Sequence, residues 1–333
     1  MATICKKLTY NQSSKNKYGK CLVDNNILFY KQFSNEFDFL NELNNYETVK
    51  NILNCPKRYF ADHNKLTIYY EYINQIYKKT IHYSLYSNNS LTNLNFLNNG
   101  YNYICDSLES SCKNSKFFKD RTKKILDYLE QIHLLGKNLV IGTEIYSPKH
   151  VLIEIYNFFN KERMVPCIIS QGDPTDVNIL NDGTVIDLET AGKNSLCADV
   201  AIFINAILIN SYYFFVKYSS GEHKKFKRLL DKFKNTIDLK YTIKETIDAY
   251  FKLNIPNKNK KLVAEFINKI KEKYDSTILE KINQTIKYYL CFRLLTPMNW
   301  NVMSEEDLIA SICLVCITYD KINSLDDIIN TFC

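Results

Sequence analysis

Strand-like and helix-like periodicities are segregated along this sequence. Over the first 75 residues, short apolar or β-branched runs separated by turn residues occupy Ala2–Tyr10, Lys20–Val23, Asn26–Phe33, Arg58–Phe60 and Lys65–Tyr72. Such runs predict strands. Between the first two lies a polar loop, Asn11–Gly19, which contains Ser13 and Ser14. One interval changes period: in Glu36–Leu53, Phe37, Phe39, Leu40, Leu43, Tyr46, Val49, Ile52 and Leu53 recur at three and four. That spacing lines one face of a helix, which Pro56 ends. The expected order is β-β-β-α-β-β. From about residue 76 the character is helical. Arg121–Leu135 sets Ile125, Leu126, Leu129 and Ile132 on one face and stops at Gly136, and His150–Asn160 is a second helix. After residue 197 nearly everything is expected to be helix, while the Asn-rich stretch 81–104 shows no assignable pattern.

The chain has 333 residues, 46% hydrophobic and 24% charged, enough for one large or two smaller globular domains. With 8 Gly and 6 Pro it is neither collagen-like nor linker-rich. The 38 Lys, 38 Asn and 25 Tyr against 5 Arg read as a compositional bias. Of the net charge of +7, residues 221–280 contribute +6, from 15 Lys/Arg and 9 Asp/Glu. The signs alternate there as on solvated helix faces, without the clustered Arg and exposed aromatics of a nucleic-acid groove. No nucleic acid and no obligate protein partner is expected. Val200–Phe215 is interrupted by Asn205, Asn210 and Ser211, which makes it a buried core helix rather than a membrane span. Met1–Leu8 holds two Lys with no apolar region after it, so no signal peptide is expected. The 11 scattered Cys then suit free thiols in a cytoplasmic protein. Cys313 and Cys316 form a C-x-x-C pair inside the apolar run Leu308–Ile317, where core packing outweighs metal or redox work.

The sequence has no G-x-G-x-x-G, no G-x-x-x-x-G-K-[ST], no H-x-x-x-H and no G-x-S-x-G. Chemistry concentrates in Ser170–Asp199, SQGDPTDVNILNDGTVIDLETAGKNSLCAD. A buried strand, Val165–Ser170, is expected to end there, which puts Asp173 on the loop at its exit. Asn181-Asp182-Gly183 is a hairpin turn joining Ile179–Leu180 to Thr184–Ile186. A hairpin brings its ends together, so Asn178 and Asp187 face one point. An amide carbonyl and a carboxylate are hard ligands suited to Mg2+, which keeps waters and shares substrate phosphates. Asp173 beside that metal is placed to accept a proton from a hydroxyl. A base, a metal pair and little covalent work are the parts of phosphoryl transfer.

Asp173 and Asn178 have the D-x-x-x-x-N spacing of the protein-kinase catalytic loop. The segment resembles the aminoglycoside phosphotransferase and choline/ethanolamine kinase superfamily, with its H-G-D-x-x-x-x-N loop followed by I-D-[FWL]-[EDG]. The later part is similar to the choline-kinase pattern D-x-E-x-x-x-x-N-x-x-x-x-D-x-A, whose positions fall on Asp187, Glu189, Asn194, Asp199 and Ala201. About thirty residues carry the likeness. It implies an α+β, protein-kinase-like bilobal fold: a β-rich nucleotide-binding lobe with one helix (1–75) and a larger, mainly helical catalytic and substrate-binding lobe (76–333). It further implies transfer of the γ-phosphoryl of ATP or GTP, with Mg2+, to a hydroxyl of a small molecule. The acceptor classes are an amino alcohol such as choline or ethanolamine, a sugar, or an aminoglycoside-type antibiotic.

By the same resemblance Asp173 is the base and Asn178, Asp187 and Glu189 hold the metal, Glu189 equally suiting a structural role. Lys31 stands where the family's strand lysine contacts phosphates. Glu47 is the expected partner of Lys31, with Glu42 a competitor on the same helix. The loop with Ser13 and Ser14 covers the phosphates, and Glu71-Tyr72-Ile73 is the hinge for the base. The family's His two residues before the base is Gln171 here. That departure marks either a substitution through the amide or a non-catalytic kinase-like binding protein. A protein kinase is disfavoured by the missing D-F-G and A-P-E signatures. For a cationic acceptor, Tyr288, Tyr289, Phe292 and Trp300 are cage candidates, with Glu305, Glu306 and Asp307 near in sequence. A helical-core role for those aromatics fits their spacing better.

Overall fold

A computed structural model describes residues 6–9, 11–12, 16–74, 80–81, 85, 108–113, 116–161, 164–210, 214–218 and 236–333. The chain forms two compact units, Met1–Leu108 with Ile168–Asn194, and Glu109–Cys167 with Ser195–Cys333.

The first unit is built on a six-stranded sheet. Its strands are β1 (Lys6–Lys7), β2 (Asn11–Gln12), β3 (Asn16–Val23), β4 (Asn26–Phe33), β5 (Arg58–Asp62) and β6 (Thr67–Glu71). The order is β1-β3-β4-β6-β5, with β2 also on β3. All pairs are antiparallel. Asp24 and Asn25 link β3 to β4, and both have positive φ, 46° and 66°. A two-residue hairpin of this hand matches the twist of the strands, and Asp and Asn tolerate the conformation. Alternation then sorts the side chains. Cys21, Val23, Leu28, Tyr30 and Tyr69 form a buried cluster with Phe60 against it. Register puts Tyr18 opposite Lys31 and Lys20 opposite Phe29, so Lys31 lies on the other face.

Helix α1 (Glu36–Val49) starts where Asn35 accepts the Asp38 N–H at 2.8 Å, with Glu36 and Asp38 in the first turn. Anions there complement the helix dipole. The buried face is Phe39, Glu42, Leu43, Tyr46 and Val49. Burying Phe39, Leu43 or Val49 contributes about 1.5–3 kcal/mol each. Phe37, which the sequence pattern placed on this face, is 78% exposed.

The second unit is mainly helical: α2 (Lys116–Gln131), α3 (Pro148–Asn160), α4 (Leu196–Asn205), α5 (Asn257–Lys273), α6 (Ser276–Leu295), α7 (Glu305–Lys321) and α8 (Leu325–Phe332). Every residue of α4 is buried, as are Leu308–Cys316 of α7. Among the described residues, no helix is long and apolar enough to cross a membrane.

Three further expectations need correction. The polar loop expected over Asn11–Gly19 instead carries β2 and the start of β3, so four strands rather than three precede α1. Helix was expected throughout after residue 197, yet β9 (Ile237–Ile243) and β10 (Ile247–Leu253) form a hairpin. It extends a small sheet with β7 (Leu139–Ile141) and β8 (Glu144–Tyr146). Ile237, Leu239, Tyr241 and Ile243 alternate at period two, as do Ile247, Ala249, Phe251 and Leu253. The strand signal was present but masked by the Lys-rich composition of the surrounding sequence. Cys21, Cys55, Cys197, Cys291, Cys313, Cys316 and Cys333 are free thiols as expected, but Cys167 is disulfide-bonded. A disulfide needs Cα atoms within about 7 Å, a condition that sequence spacing does not reveal.

Candidate functional site

The strand Met164–Ser170 is buried from Val165 to its end, and the chain leaves it through Gln171, Gly172 and Asp173. Gly172 has φ of +81°, and a β-carbon on it would lie 2.2 Å from the Thr190 carbonyl oxygen. Only glycine allows that approach. Asn194 fastens the same region, its Nδ2 donating to Ser170 Oγ at 3.1 Å, to the Thr190 carbonyl at 3.1 Å and to the Gly192 carbonyl at 3.2 Å.

From Asp173 the chain enters the expected hairpin. The Leu180 N–H donates to the Thr184 carbonyl at 2.8 Å, and the Ile186 N–H to the Asn178 carbonyl at 2.9 Å. Gly183 takes a positive φ of 82° in the turn. The hairpin therefore closes on Asn178 and delivers Asp187 beside it. Asn178 Nδ2 donates to the Asp173 carbonyl at 3.0 Å and to Asp173 Oδ2 at 3.3 Å. With Nδ2 committed to Asp173, the remaining Asn178 side-chain atom able to ligate is the hard oxygen Oδ1. Asp187 has φ of 61° and is exposed. Asn178 Oδ1 and the Asp187 carboxylate fit Mg2+, which takes few protein ligands and completes its shell with water and phosphate. Among the described residues, no three His, Cys, Asp or Glu side chains converge as an all-protein metal cage.

Lys31 reaches this point from β4, across 156 residues of sequence: its Nζ donates to Asp187 Oδ1 at 2.8 Å. It also donates to Glu42 Oε2 at 2.6 Å, and Tyr70 Oη donates to the other Glu42 oxygen at 2.9 Å. Burial disfavours the Lys31 ammonium, but the Asp187 and Glu42 charges outweigh it and hold its pKa well above the ordinary lysine value. Burial raises the Glu42 carboxyl above its usual range despite the pull of Lys31, and burial with the Glu42 charge raises the Tyr70 phenol.

The helix acid on Lys31 is thus Glu42, not Glu47. Glu47 is exposed and pairs with Arg58 at 2.5 Å and with Lys50. Helical phase decides this. Glu42 lies within the buried stripe of Phe39, Leu43, Tyr46 and Val49, whereas Glu47, five residues on, is rotated about 140° away. That stripe was readable and singles out Glu42.

No protein-family model and no curated protein matches the sequence. Solved structures do. An amicoumacin kinase in complex with AMP-PNP, Ca2+ and Ami is 10% identical, over 95% of this chain and 87% of that one, with a TM-score of 0.50. Ethanolamine kinase from Plasmodium vivax is 12% identical, over 92% and 79%, with a TM-score of 0.46. Choline kinase from Streptococcus pneumoniae is 13% identical, over 99% and 94%, with a TM-score of 0.40. The chain has the protein-kinase-like fold of the small-molecule kinases.

Gln171, which stands two residues before Asp173, is hydrogen-bonded through both ends of its amide. It is 0% exposed. Its Oε1 accepts the Asp173 N–H at 2.8 Å, and its Nε2 donates to the Asp187 carbonyl at 2.6 Å and the Ile186 carbonyl at 3.2 Å. One amide therefore ties the loop of the expected base to that of the expected metal ligand. Gln171→Leu, similar in size, strands these backbone groups. It is expected to destabilise the fold by about 1–3 kcal/mol for each group left unsatisfied. Urea unfolding measures this, and an unchanged midpoint would show that Gln171 is not the tie.

The remaining expected residues are distributed as follows. Glu189 lies in the short 3-10 turn Leu188–Thr190 next to Asp187. Glu71 ends β6, its N–H donating to the Lys57 carbonyl at 2.7 Å, and Ile73 follows in a half-buried stretch. Ser13 and Ser14 lie outside the described residues. In the second unit, Tyr289, Phe292 and Trp300 are core residues: Phe159 packs on the first two, and Trp300 stacks on Tyr128 at 5.5 Å. Tyr288 stacks on Phe158 at 4.0 Å. Asp307 is buried, paired with Lys217 at 2.5 Å, and Glu305 accepts from Tyr241 Oη at 3.1 Å. The core role suits Tyr289, Phe292 and Trp300, which are buried, while Tyr288 is half-buried. Asn41 and Asn45, absent from any motif, also contact the Asp187 segment.

Proposed function

We propose that this chain is a small-molecule kinase that moves the γ-phosphoryl of ATP or GTP, with Mg2+, to a hydroxyl of a small molecule. An amino alcohol such as choline or ethanolamine, a sugar and an aminoglycoside-type antibiotic are the acceptor classes. The observation that carries this reading is the Lys31–Asp187 contact at 2.8 Å. It joins a strand lysine to the carboxylate that follows a D-x-x-x-x-N loop, and few functions other than handling a metal-bound polyphosphate need both at one point.

In this reading Lys31 holds the phosphates, and Glu42 holds Lys31. Asn178 and Asp187 would hold Mg2+, which when bound would supply positive charge against the polyphosphate. Asp173, oriented by Asn178, takes the proton of the acceptor hydroxyl. The acceptor oxygen forms a bond to the γ-phosphorus, the bond from that phosphorus to the β–γ bridging oxygen breaks, and its electron pair leaves with the nucleoside diphosphate. Gln171 supports catalysis rather than its loss, since its three hydrogen bonds keep the loops of base and metal ligand in register.

Calorimetry with MgATP and MgGTP tests this directly. Wild type is expected to bind a nucleoside triphosphate only with Mg2+, and Asp187→Ala is expected to lose that metal-dependent binding. Absence of binding by wild type would reject the kinase reading in favour of a non-catalytic kinase-like protein.

A further inference from the structure

Three side chains on one face of α1 reach the catalytic segment. Glu42 holds Lys31, as described. Asn45 Nδ2 donates to the Leu188 carbonyl at 3.1 Å and to the Glu189 carbonyl at 2.9 Å. Asn41 Nδ2 donates to the same Glu189 carbonyl at 3.2 Å. Asn41 and Asn45 are four apart and share a helix face, whereas Asn44 between them is turned to solvent.

The carbonyls they hold belong to the two residues immediately after Asp187. Asp187 itself sits at φ 61° and ψ 80°, a left-handed conformation that a non-glycine residue keeps only when its surroundings over-determine it. Gln171 secures it from one side, through the Asp187 carbonyl at 2.6 Å. The two asparagines secure it from the other. Without them the segment is free to relax toward an ordinary backbone conformation, carrying the Asp187 carboxylate away from Asn178.

We infer that Asn41 and Asn45 are positioning residues for the metal carboxylate, and that α1 sets the phosphate lysine and the metal ligand together. The helix does so through Asn41, Glu42 and Asn45, so a displacement of α1 disengages Lys31 and the Asp187 loop at once. The inference rests on the kinase reading above.

Asn45→Asp tests it, alone and with Asn41→Ala. Aspartate keeps the shape of asparagine but replaces the amide donor with an acceptor facing two carbonyls. The Mg2+ concentration for half-maximal nucleotide binding is expected to rise about tenfold in the single variant and further in the double. Amide hydrogen exchange of residues 187–190 is expected to accelerate in the nucleotide-free protein. Asn45→Gln, which restores a donor on a longer arm, is expected to recover part of the Mg2+ response. A purely structural role would lower the melting temperature and leave the Mg2+ requirement of the folded fraction unchanged, and that result overturns the inference. If wild type binds no Mg2+-nucleotide, the kinase reading fails first. If wild type binds and the Asn45 variant responds to Mg2+ as wild type does, the positioning inference alone fails.

Discussion

Asp173→Ala is expected to lower turnover about 10²–10⁴-fold, the usual contribution of a positioned general base, while MgATP affinity stays within about threefold. The split follows from what Asp173 touches. Its carboxylate faces Asn178 Nδ2 at 3.3 Å, and its backbone N–H and carbonyl are held by Gln171 and Asn178. The alanine variant keeps both backbone bonds, so the loop and the metal ligands retain their places. What disappears is the oxygen proposed to accept the hydroxyl proton. Steady-state kinetics on an acceptor found by panel screening, paired with calorimetry on the same preparation, separates the two effects. Wild-type turnover by Asp173→Ala would remove Asp173 from the chemistry. Loss of nucleotide binding in step with turnover would assign it to the metal instead.

Lys31→Met carries the second large effect, and it reads out in stability as well as function. Glu42 is 2% exposed, and Lys31 is the cation beside it. Removing one partner of a buried ion pair leaves an uncompensated charge, at a cost of about 3–5 kcal/mol. Tyr70 still donates to Glu42, so the lower end of that range applies. The pH dependence has a definite sign. Burial already raises the Glu42 pKa with Lys31 present, and without Lys31 it rises further. The folded state then binds a proton that the unfolded state releases, so the variant becomes more stable as pH falls through the folded-state pKa. Its deficit relative to wild type is expected to shrink from about pH 8 toward about pH 5. Adding Glu42→Gln removes the stranded charge and is expected to restore most of the stability, with nucleotide binding still impaired. Urea denaturation at several pH values measures all three proteins. A deficit independent of pH, or no recovery in the double variant, would show that the buried pair is not what Lys31 supports.

Much of the site was legible because its connections are local. The D-x-x-x-x-N spacing, the Asn-Asp-Gly turn and the Asp187 that follows lie within fifteen residues, and turn chemistry alone dictates that the hairpin ends meet. The helix that interrupts the strands of the first unit followed from a change of hydrophobic period, whereas β2 and the start of β3 fell where a polar loop was expected. The Glu42 assignment was within reach of the same reasoning, since only Glu42 falls on the apolar stripe of α1. Pairing Lys31 with Glu47 ignored that phase. The hairpin Ile237–Leu253 was missed because its alternation is short and runs into the long amphipathic helix α5.

Residue type and local spacing thus determined where the proposed base, metal ligands and phosphate lysine stand along the chain, and that a β-rich region precedes a helical one. Which groups complete the site was decided by tertiary structure. Lys31 meets Asp187, and Asn45 meets Leu188 and Glu189, across separations of 156, 143 and 144 residues. No local period encodes such pairs. Asn41 and Asn45 were also hidden by composition, as two among 38 asparagines. The sequence left Gln171 open between a substitution through its amide and a mark of lost catalysis, and folding supplies that amide with three hydrogen-bond partners. An amide can donate and accept at once, and whether it does so depends on the carbonyls and N–H groups that folding places around it.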